Sequence, residues 1–351
     1  MKELTNTRNY TKKKVFIGID VHKKTYSLVA ICEERIVKKW SMTAIPSKCV
    51  EVLLKFFHGA NINTVYESGF CGYGLHRELE KNNIKNIVVA PSSIQKSSND
   101  RVKTDILDAK KLAFQLSKNL LNGIEIPTRE RELKREITRL RSQLVDHRVS
   151  IILQIKSKLL YFGLMDPNDN RKVTDKYLKE IEGLNLPNEI RPSLSILIDQ
   201  WRYLSTKIKE IEKEIKNQEE EDKYTSEIYR SVPGVGLLTA RILANELGDL
   251  KTRFKNEREL FSYTGLTPSE YSSGENIRKG KITRCGPARI RWILTEAAWM
   301  CIRKDIGLKK KYEKIKIRRG AKRAIVAIAR TLIGRIRSCF VNSSLYQLNT
   351  K

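Results

Sequence analysis

The sequence predicts an α/β domain at the N-terminus, then a pair of long charged helices, then a mainly helical, strongly basic region. Three observations lead there. Apolar runs alternate with helical periodicity over the first 125 residues, the composition turns charged after Asn122 with apolar residues every three or four positions, and positive charge concentrates beyond residue 275. A chain of 351 residues has room for two or three domains. The divisions that follow from composition are 1–14 (a basic tail), 15–125, 126–222 and 223–345.

From Val15 the chain reads as three strands, VFIGID, YSLVAIC and RIVKKWSM, separated by short polar breaks at His22 to Lys24 and at Glu33-Glu34. Pro46 to His58 follows at helical spacing, with Val50, Leu53, Leu54 and Phe57 on one face. Then come the strand INTVYE, the helix GYGLHRELEKN, the strand NIVVAP and a helix from Asp105, giving the order βββαβαβα. Strands that alternate with helices pair in parallel, and ligands of such sheets gather where the strand C-termini open.

Composition excludes several classes. The longest wholly apolar run, Ala324 to Ala329, is six residues, far below the roughly 20 that cross a bilayer. The start MKELTNTRNYTKKK has no apolar segment behind its charges, so the expectation is no secretory signal and a cytoplasmic protein without membrane partners. Six scattered cysteines and four histidines, with no C-x-x-C pair, support neither a zinc site nor a disulfide framework.

Four carboxylates fall at informative places. Asp20 ends the first strand, Glu67 ends the fourth, and Asp105 and Asp108 lie three residues apart near the start of the last helix, on one face. Singly, each has an ordinary reading: first-turn acids behind a Thr104 cap, and turn residues at strand ends. Jointly they would repel one another unless cations neutralise them, and hard divalent ions such as Mg²⁺ are what carboxylate oxygens select. That pattern fits a two-metal phosphoryl-transfer site.

From Arg129 an apolar stripe runs through Leu133, Ile137, Leu140, Leu144, His147 and Ile151, and a second through Leu194, Ile198, Trp201, Leu204, Ile208, Ile211 and Ile215. These predict two long helices forming a coiled-coil arm, folded back antiparallel or paired with another subunit, with His147 in the seam. The acidic run Gln218 to Asp222 reads as a solvated arm end.

The C-terminal region opens with SVPGVGLLTARILANELGDL, patterned like a helix-hairpin-helix, where Gly234 and Gly236 would let backbone N–H groups approach phosphate independently of sequence. Between Asn276 and Arg337, 20 Lys and Arg face three acids, so this stretch carries +17 of the chain's net +28. Such density, interleaved with Trp292, Trp299 and Tyr312, favours a nucleic acid partner over a merely solvated face. Candidate contacts are Arg278, Lys279, Lys281, Arg284, Arg289, Arg291, Arg318, Arg319, Lys322 and Arg323. The pair Ser272-Ser273 before Gly274 reads by composition as a turn, with Ser269 as a helix or turn residue. No histidine base lies nearby, which argues against a Ser-His-Asp hydrolase.

The segments FIGIDVHKK, VYESG and RVKTDILDAKKLA resemble the RNase H-like (RuvC-like) catalytic domain of the insertion sequence 110 transposases, and GLTPSEYSSG followed by RCGPARIR is similar to that family's second, serine-bearing domain. The two regions stand in family order and span nearly the whole chain. The resemblance implies a DEDD tetrad of Asp20, Glu67, Asp105 and Asp108 holding two Mg²⁺ ions, with Mn²⁺ as a substitute. It also implies, aligned on Gly274, that Ser273 is the nucleophile that joins covalently to a DNA phosphate. Donor and target double-stranded DNA would be recognised through a structured non-coding guide (bridge) RNA. Handling several strands at once leads us to expect a homodimer or homotetramer, acting at the nucleoid of a prokaryote. The competing readings are a DNA invertase without a guide, a junction-resolving nuclease that uses metal-bound water, and a non-enzymatic architectural protein. A resolvase has no use for Ser273, and an architectural protein has no use for either motif.

Overall fold

The structure is a computed structural model that describes residues 9–95, 104–274, 276 and 278–348, without the side chains of 218–221. It divides into two compact units, 1–127 and 128–351.

The first unit is built on five strands: β1 (Lys14–Val21), β2 (Thr25–Cys32), β3 (Arg35–Thr43), β4 (Asn61–Glu67) and β5 (Lys85–Val89). Helices α1 (Pro46–Phe56) and α2 (Gly74–Lys81) fall between them, a 3₁₀ turn spans Pro91–Ser93, and α3 (Asp105–Ser117) closes the unit. The order is the βββαβαβα expected. The sheet runs β3-β2-β1-β4-β5, with antiparallel pairing among the first three and parallel pairing of β1 with β4 and β4 with β5. Alternation along β1 sends Val15, Ile17 and Ile19 into a core shared with Cys49, Val50 and Leu53 of α1 and Leu75 and Leu79 of α2. The opposite pleat face carries Phe16, Gly18 and Asp20, and α3 packs on it. Tyr10 is buried edge-on against Phe57, so the basic tail expected over 1–14 gives way to packed chain by Tyr10; residues 1–8 lie outside the described ones.

Among its described residues the second unit is helical apart from one hairpin. Its elements are α4 (Arg129–Tyr161), α5 (Asp175–Glu182), α6 (Arg191–Glu221), α7 (Lys223–Arg230), α8 (Leu237–Leu247), α9 (Leu250–Arg253), α10 (Glu257–Thr264), β6 (Pro268–Glu270), β7 (Lys279–Ile282), α11 (Ala288–Lys304), α12 (Ile306–Arg319) and α13 (Ala321–Asn342). Thr128 caps α4 by accepting from Arg131 N–H at 3.2 Å. The two long helices run antiparallel. Arg141 donates to Glu212 at 2.6 Å, Arg148 reaches Ser205 at 3.4 Å, and Ile155 and Leu159 pack with Leu194 and Ile198, so rising numbers on α4 meet falling numbers on α6. His147 is exposed, contrary to the expected place in the seam, and Leu133 and Leu140 are exposed as well. Beside His147 it is Arg148 that faces α6, and near its start α4 turns a different face inward, which leaves Leu133 and Leu140 outside. Arg135 there donates to the carbonyls of Asn245 (2.9 Å) and Glu246 (2.8 Å) at the end of α8, and Arg139 grips the buried Glu246 carboxylate with bonds of 2.9 and 3.0 Å. Most of the acidic run 218–222 lies outside the described side chains.

The main core of this unit joins α7 to α13, from Ile228 and Tyr229 through Leu243, Leu294 and Ile328 to Phe340. Asp305 caps α12 by accepting from Leu308 N–H, and it is fully buried yet paired with Arg335 at 2.7 Å and Tyr346 at 3.1 Å. Among the described residues, no helix is long and apolar enough to cross a membrane.

Candidate active site

Three strand and helix ends bring the predicted carboxylates to one end of the first sheet. Asp20 lies on the α3 face of β1, and the parallel register pairs Gly18 with Val65 and Ile19 with Tyr66, so its continuation puts Glu67 beside Asp20 on the adjacent strand end. Gly18 is what lets α3 in. A Cβ there would sit 2.1 Å from the Ala109 carbonyl oxygen and 2.5 Å from the Ala113 nitrogen, so only a residue without a side chain allows this helix to lie on the strand. Thr104 caps α3 by accepting from Leu107 N–H at 3.3 Å, which sets Asp105 and Asp108 in the first turn.

The closest group at this end includes a residue that pattern reading passed over. His22 Nε2 lies 3.1 Å from Asp20 Oδ2 and 3.3 Å from Asp105 Oδ1, and one ligating atom from each of the three residues lies within 4.8 Å of the others. The signal was present as D-V-H, because residues i and i+2 of a strand share a face. Asp108 stands one turn along α3, close enough for its charge to act on Asp20, and Glu67 stands exposed at the end of β4. Partial burial raises the Asp20 carboxyl above its ordinary value, His22 opposes this, and the charges of Asp105 and Asp108 reinforce it. A carboxylate held among others in this way is relieved by a cation, and the donor set of carboxylate oxygens with one imidazole nitrogen suits a divalent metal.

The serine pair lies in the second unit, at the tip of the β6–β7 hairpin. Ser272 Oγ donates to Glu270 Oε1 at 2.9 Å and accepts from Arg278 N–H at 3.2 Å, so that hydroxyl is committed to holding the loop. Ser273 is exposed. Its backbone pairs with Asn276, and no bond of its hydroxyl occurs among the described residues. Ser269 stands in strand β6, rather than in the helix or turn expected. The hairpin's base is held by close backbone contacts: at Gly265, where φ is +64°, a Cβ would meet the Cys285 carbonyl oxygen at 2.0 Å.

The predicted nucleic-acid contacts divide. Arg278, Lys279, Lys281 and Arg284 are exposed on and beside the hairpin, and Arg318, Arg319, Lys322 and Arg323 are exposed where α12 turns into α13 at Gly320. Arg289 and Arg291 are engaged otherwise. Arg289 donates to the Thr138 carbonyl at 2.6 Å, and Arg291 to the carbonyls of Thr264, Cys285 and Gly286, so both guanidiniums tie backbone together. Of the interleaved aromatics only Trp292, 64% exposed, faces solvent; Tyr312 is buried, and Trp299 packs on its ring in the core. Tyr271, 78% exposed beside the serines, was not singled out from sequence. Gly236 is exposed and begins α8 with no atom crowding it, whereas the side-chain position of Gly234 is occupied by Met300, so Gly234 serves the packing of α11.

An acid-edged α/β sheet domain joined to a basic helical domain with an exposed serine hairpin has the parts of a DNA-cutting and joining enzyme, a transposase. Residues 226–313 match the family described as Transposase IS116/IS110/IS902, and residues 17–162 match the DEDD transposase model of the IS110 group. The chain is 30% identical over 310 residues to the transposase for insertion sequence element IS1533 of Leptospira borgpetersenii, covering 82% of this chain and 85% of the relative. It is 30% identical over 196 residues to the transposase for IS1328 of Yersinia enterocolitica (56% and 58%), and 25% identical over 331 residues to that for IS1111A of Coxiella burnetii (89% and 86%). The chain belongs to the IS110 family of transposases.

Proposed function

We propose that this transposase exchanges DNA strands through a phosphoserine intermediate, with Asp20, Glu67, Asp105 and Asp108 as the metal-binding tetrad and Ser273 as the nucleophile. The observation that carries the reading is the presence in one chain of carboxylates gathered at one sheet end and an exposed serine whose hydroxyl, unlike that of Ser272, makes no bond among the described residues. A pair of Mg²⁺ ions, or Mn²⁺ in their place, would neutralise charge gathering on the phosphate. Ser273 Oγ forms a bond to phosphorus, its proton passes to a base, and the bond from phosphorus to one deoxyribose oxygen breaks. That oxygen takes up the proton released by the serine and leaves as a hydroxyl, and the energy of the broken bond is kept in the serine ester for rejoining to a new strand. The exposed Arg278, Lys279, Lys281 and Arg284, on and beside the same hairpin, would supply positive charge that binds and orients the phosphate.

The remaining assignments are part of the same proposal. Residues 15–125 form the RuvC-like catalytic domain, 126–222 a coiled-coil dimerisation arm, and 223–345 the serine-bearing domain, whose turn before α8 acts as a helix-hairpin-helix with the N–H groups after Gly236 facing phosphate. Exposed cations at Arg318, Arg319, Lys322 and Arg323 grip donor and target duplexes or the guide RNA that pairs with them. The assembly is a homodimer or homotetramer.

The test is to co-express the protein with its flanking DNA, stop the reaction in denaturant and search by mass spectrometry for a nucleotide on serine. An adduct on Ser273, absent in Ser273→Ala, is expected. Cut DNA without an adduct would make water the nucleophile and turn the reading to a junction-resolving nuclease.

A further inference from the structure

We propose that His22 is a direct ligand in the carboxylate site, its Nε2 binding the same divalent ion as Asp20 and Asp105, so that the site favours first-row transition ions over Mg²⁺ more than carboxylates alone would. The inference rests on the reading of the tetrad as a metal site and adds to it a donor of a different chemical kind.

Three observations point to it. The ring nitrogen is 3.1 and 3.3 Å from oxygens on two separate elements, the end of β1 and the first turn of α3, and the three donor atoms lie within 4.8 Å of one another, a spacing that a single ion can bridge. The His22 backbone is fixed, because its N–H donates to the Thr25 carbonyl at 2.9 Å in the tight turn between β1 and β2, so the imidazole is delivered by the sheet rather than by a loose loop. The His22 side chain is half exposed, so ions and solvent reach it. Imidazole is a borderline donor that raises affinity along the series from Mn²⁺ to Cu²⁺, whereas Mg²⁺ prefers an all-oxygen shell.

A histidine set between two carboxylates has a second use, as a cation that the metal displaces. The two differ in whether nitrogen stays on the ion, and that is measurable without turnover. The probe is Mn²⁺ alone, added to the purified full-length chain and read by pulsed electron paramagnetic resonance for ¹⁴N coupling, with Mg²⁺ competition giving relative affinity. Wild type is expected to show histidine nitrogen on Mn²⁺. His22→Ala should lose that signal and lose preference for Mn²⁺ over Mg²⁺ while still binding Mg²⁺, and circular dichroism would check that the fold is intact. Bound Mn²⁺ without nitrogen coupling, or coupling that persists in His22→Ala, would overturn the role of His22 and leave the carboxylate site standing. Full Mn²⁺ binding in both Asp20→Asn and Asp105→Asn would overturn the tetrad reading itself.

Discussion

The two candidate centres of this chain are made in opposite ways. The carboxylate group stands on packed secondary structure: β1 and β4 inside a five-stranded sheet, and α3 pressed on the strand at Gly18. The serine stands at the tip of a two-stranded hairpin, with strands of three and four residues and exposed neighbours. Metal-binding groups must be held close together against mutual repulsion, and only a rigid frame does that. A nucleophile that forms and then releases a covalent link to DNA must instead be reachable, and a short hairpin over a locked base supplies reach with limited freedom. In the proposed reading, function is split between a centre that concentrates charge and one that presents a single hydroxyl.

Substitutions can break that contrast, beginning with the strongest effect. Asp20→Asn or Asp105→Asn should lower DNA cleavage by roughly 10³-fold or more, the scale of losing charge stabilisation or a catalytic group, while DNA binding measured by gel shift stays near wild type. Cleavage undiminished from wild type in both variants would remove the carboxylates from the chemistry. On the hairpin, Ser273→Ala should abolish the covalent adduct, whereas Ser272→Ala, which deletes two loop hydrogen bonds of about 1 kcal/mol each, should slow adduct formation by up to roughly thirty-fold. A reversal of those two results would exchange the roles of the serines.

Gly18→Ala probes the frame. The added methyl strikes backbone of α3, and overpacking of this kind costs about 1–3 kcal/mol or more, so the denaturant midpoint of the first unit should fall and metal binding with it. Neutralising Arg318, Arg319, Lys322 and Arg323 should reduce the salt dependence of DNA binding by roughly one unit of slope for each phosphate that these side chains neutralise. Arg289→Met, by contrast, should destabilise the fold by about 1 kcal/mol through loss of the guanidinium's bond to the Thr138 carbonyl and leave that slope unchanged. The mildest test is thiol labelling at neutral pH. Cys285 is exposed beside the hairpin, while Cys49 and Cys301 are buried with thiols pushed up to about 12, so alkylation should mark Cys285 and reach those two only after unfolding.

Much of this was legible in the order of residues. Alternation and helical spacing are short-range signals, and they gave the βββαβαβα order, the two long helices and the start of α11 at Ala288. The positions of Asp20, Glu67, Asp105 and Asp108 at element ends could likewise be read, because strand ends and helix starts are marked locally by glycine and by the Thr104 cap. Charge density located the basic region but could not sort its members. Arg289, Arg291 and Arg278 look alike in a sequence, and whether a guanidinium meets solvent or a carbonyl depends on which helix lies across from it. His147 was misplaced for the same reason: a heptad stripe tells that a helix has an apolar face, not which part of that face a neighbour covers.

By itself, then, the sequence determined the local elements, the sites' residue types and the family, since each is encoded within a few neighbouring positions. Tertiary structure alone decided that His22 joins Asp20 and Asp105, that Ser272 is spent on its loop while Ser273 is exposed, and that Met300 fills the space beside Gly234. Those outcomes depend on distances between groups far apart in the chain or on the fold of a single turn, and such distances are set only when the packed elements compete for the same space.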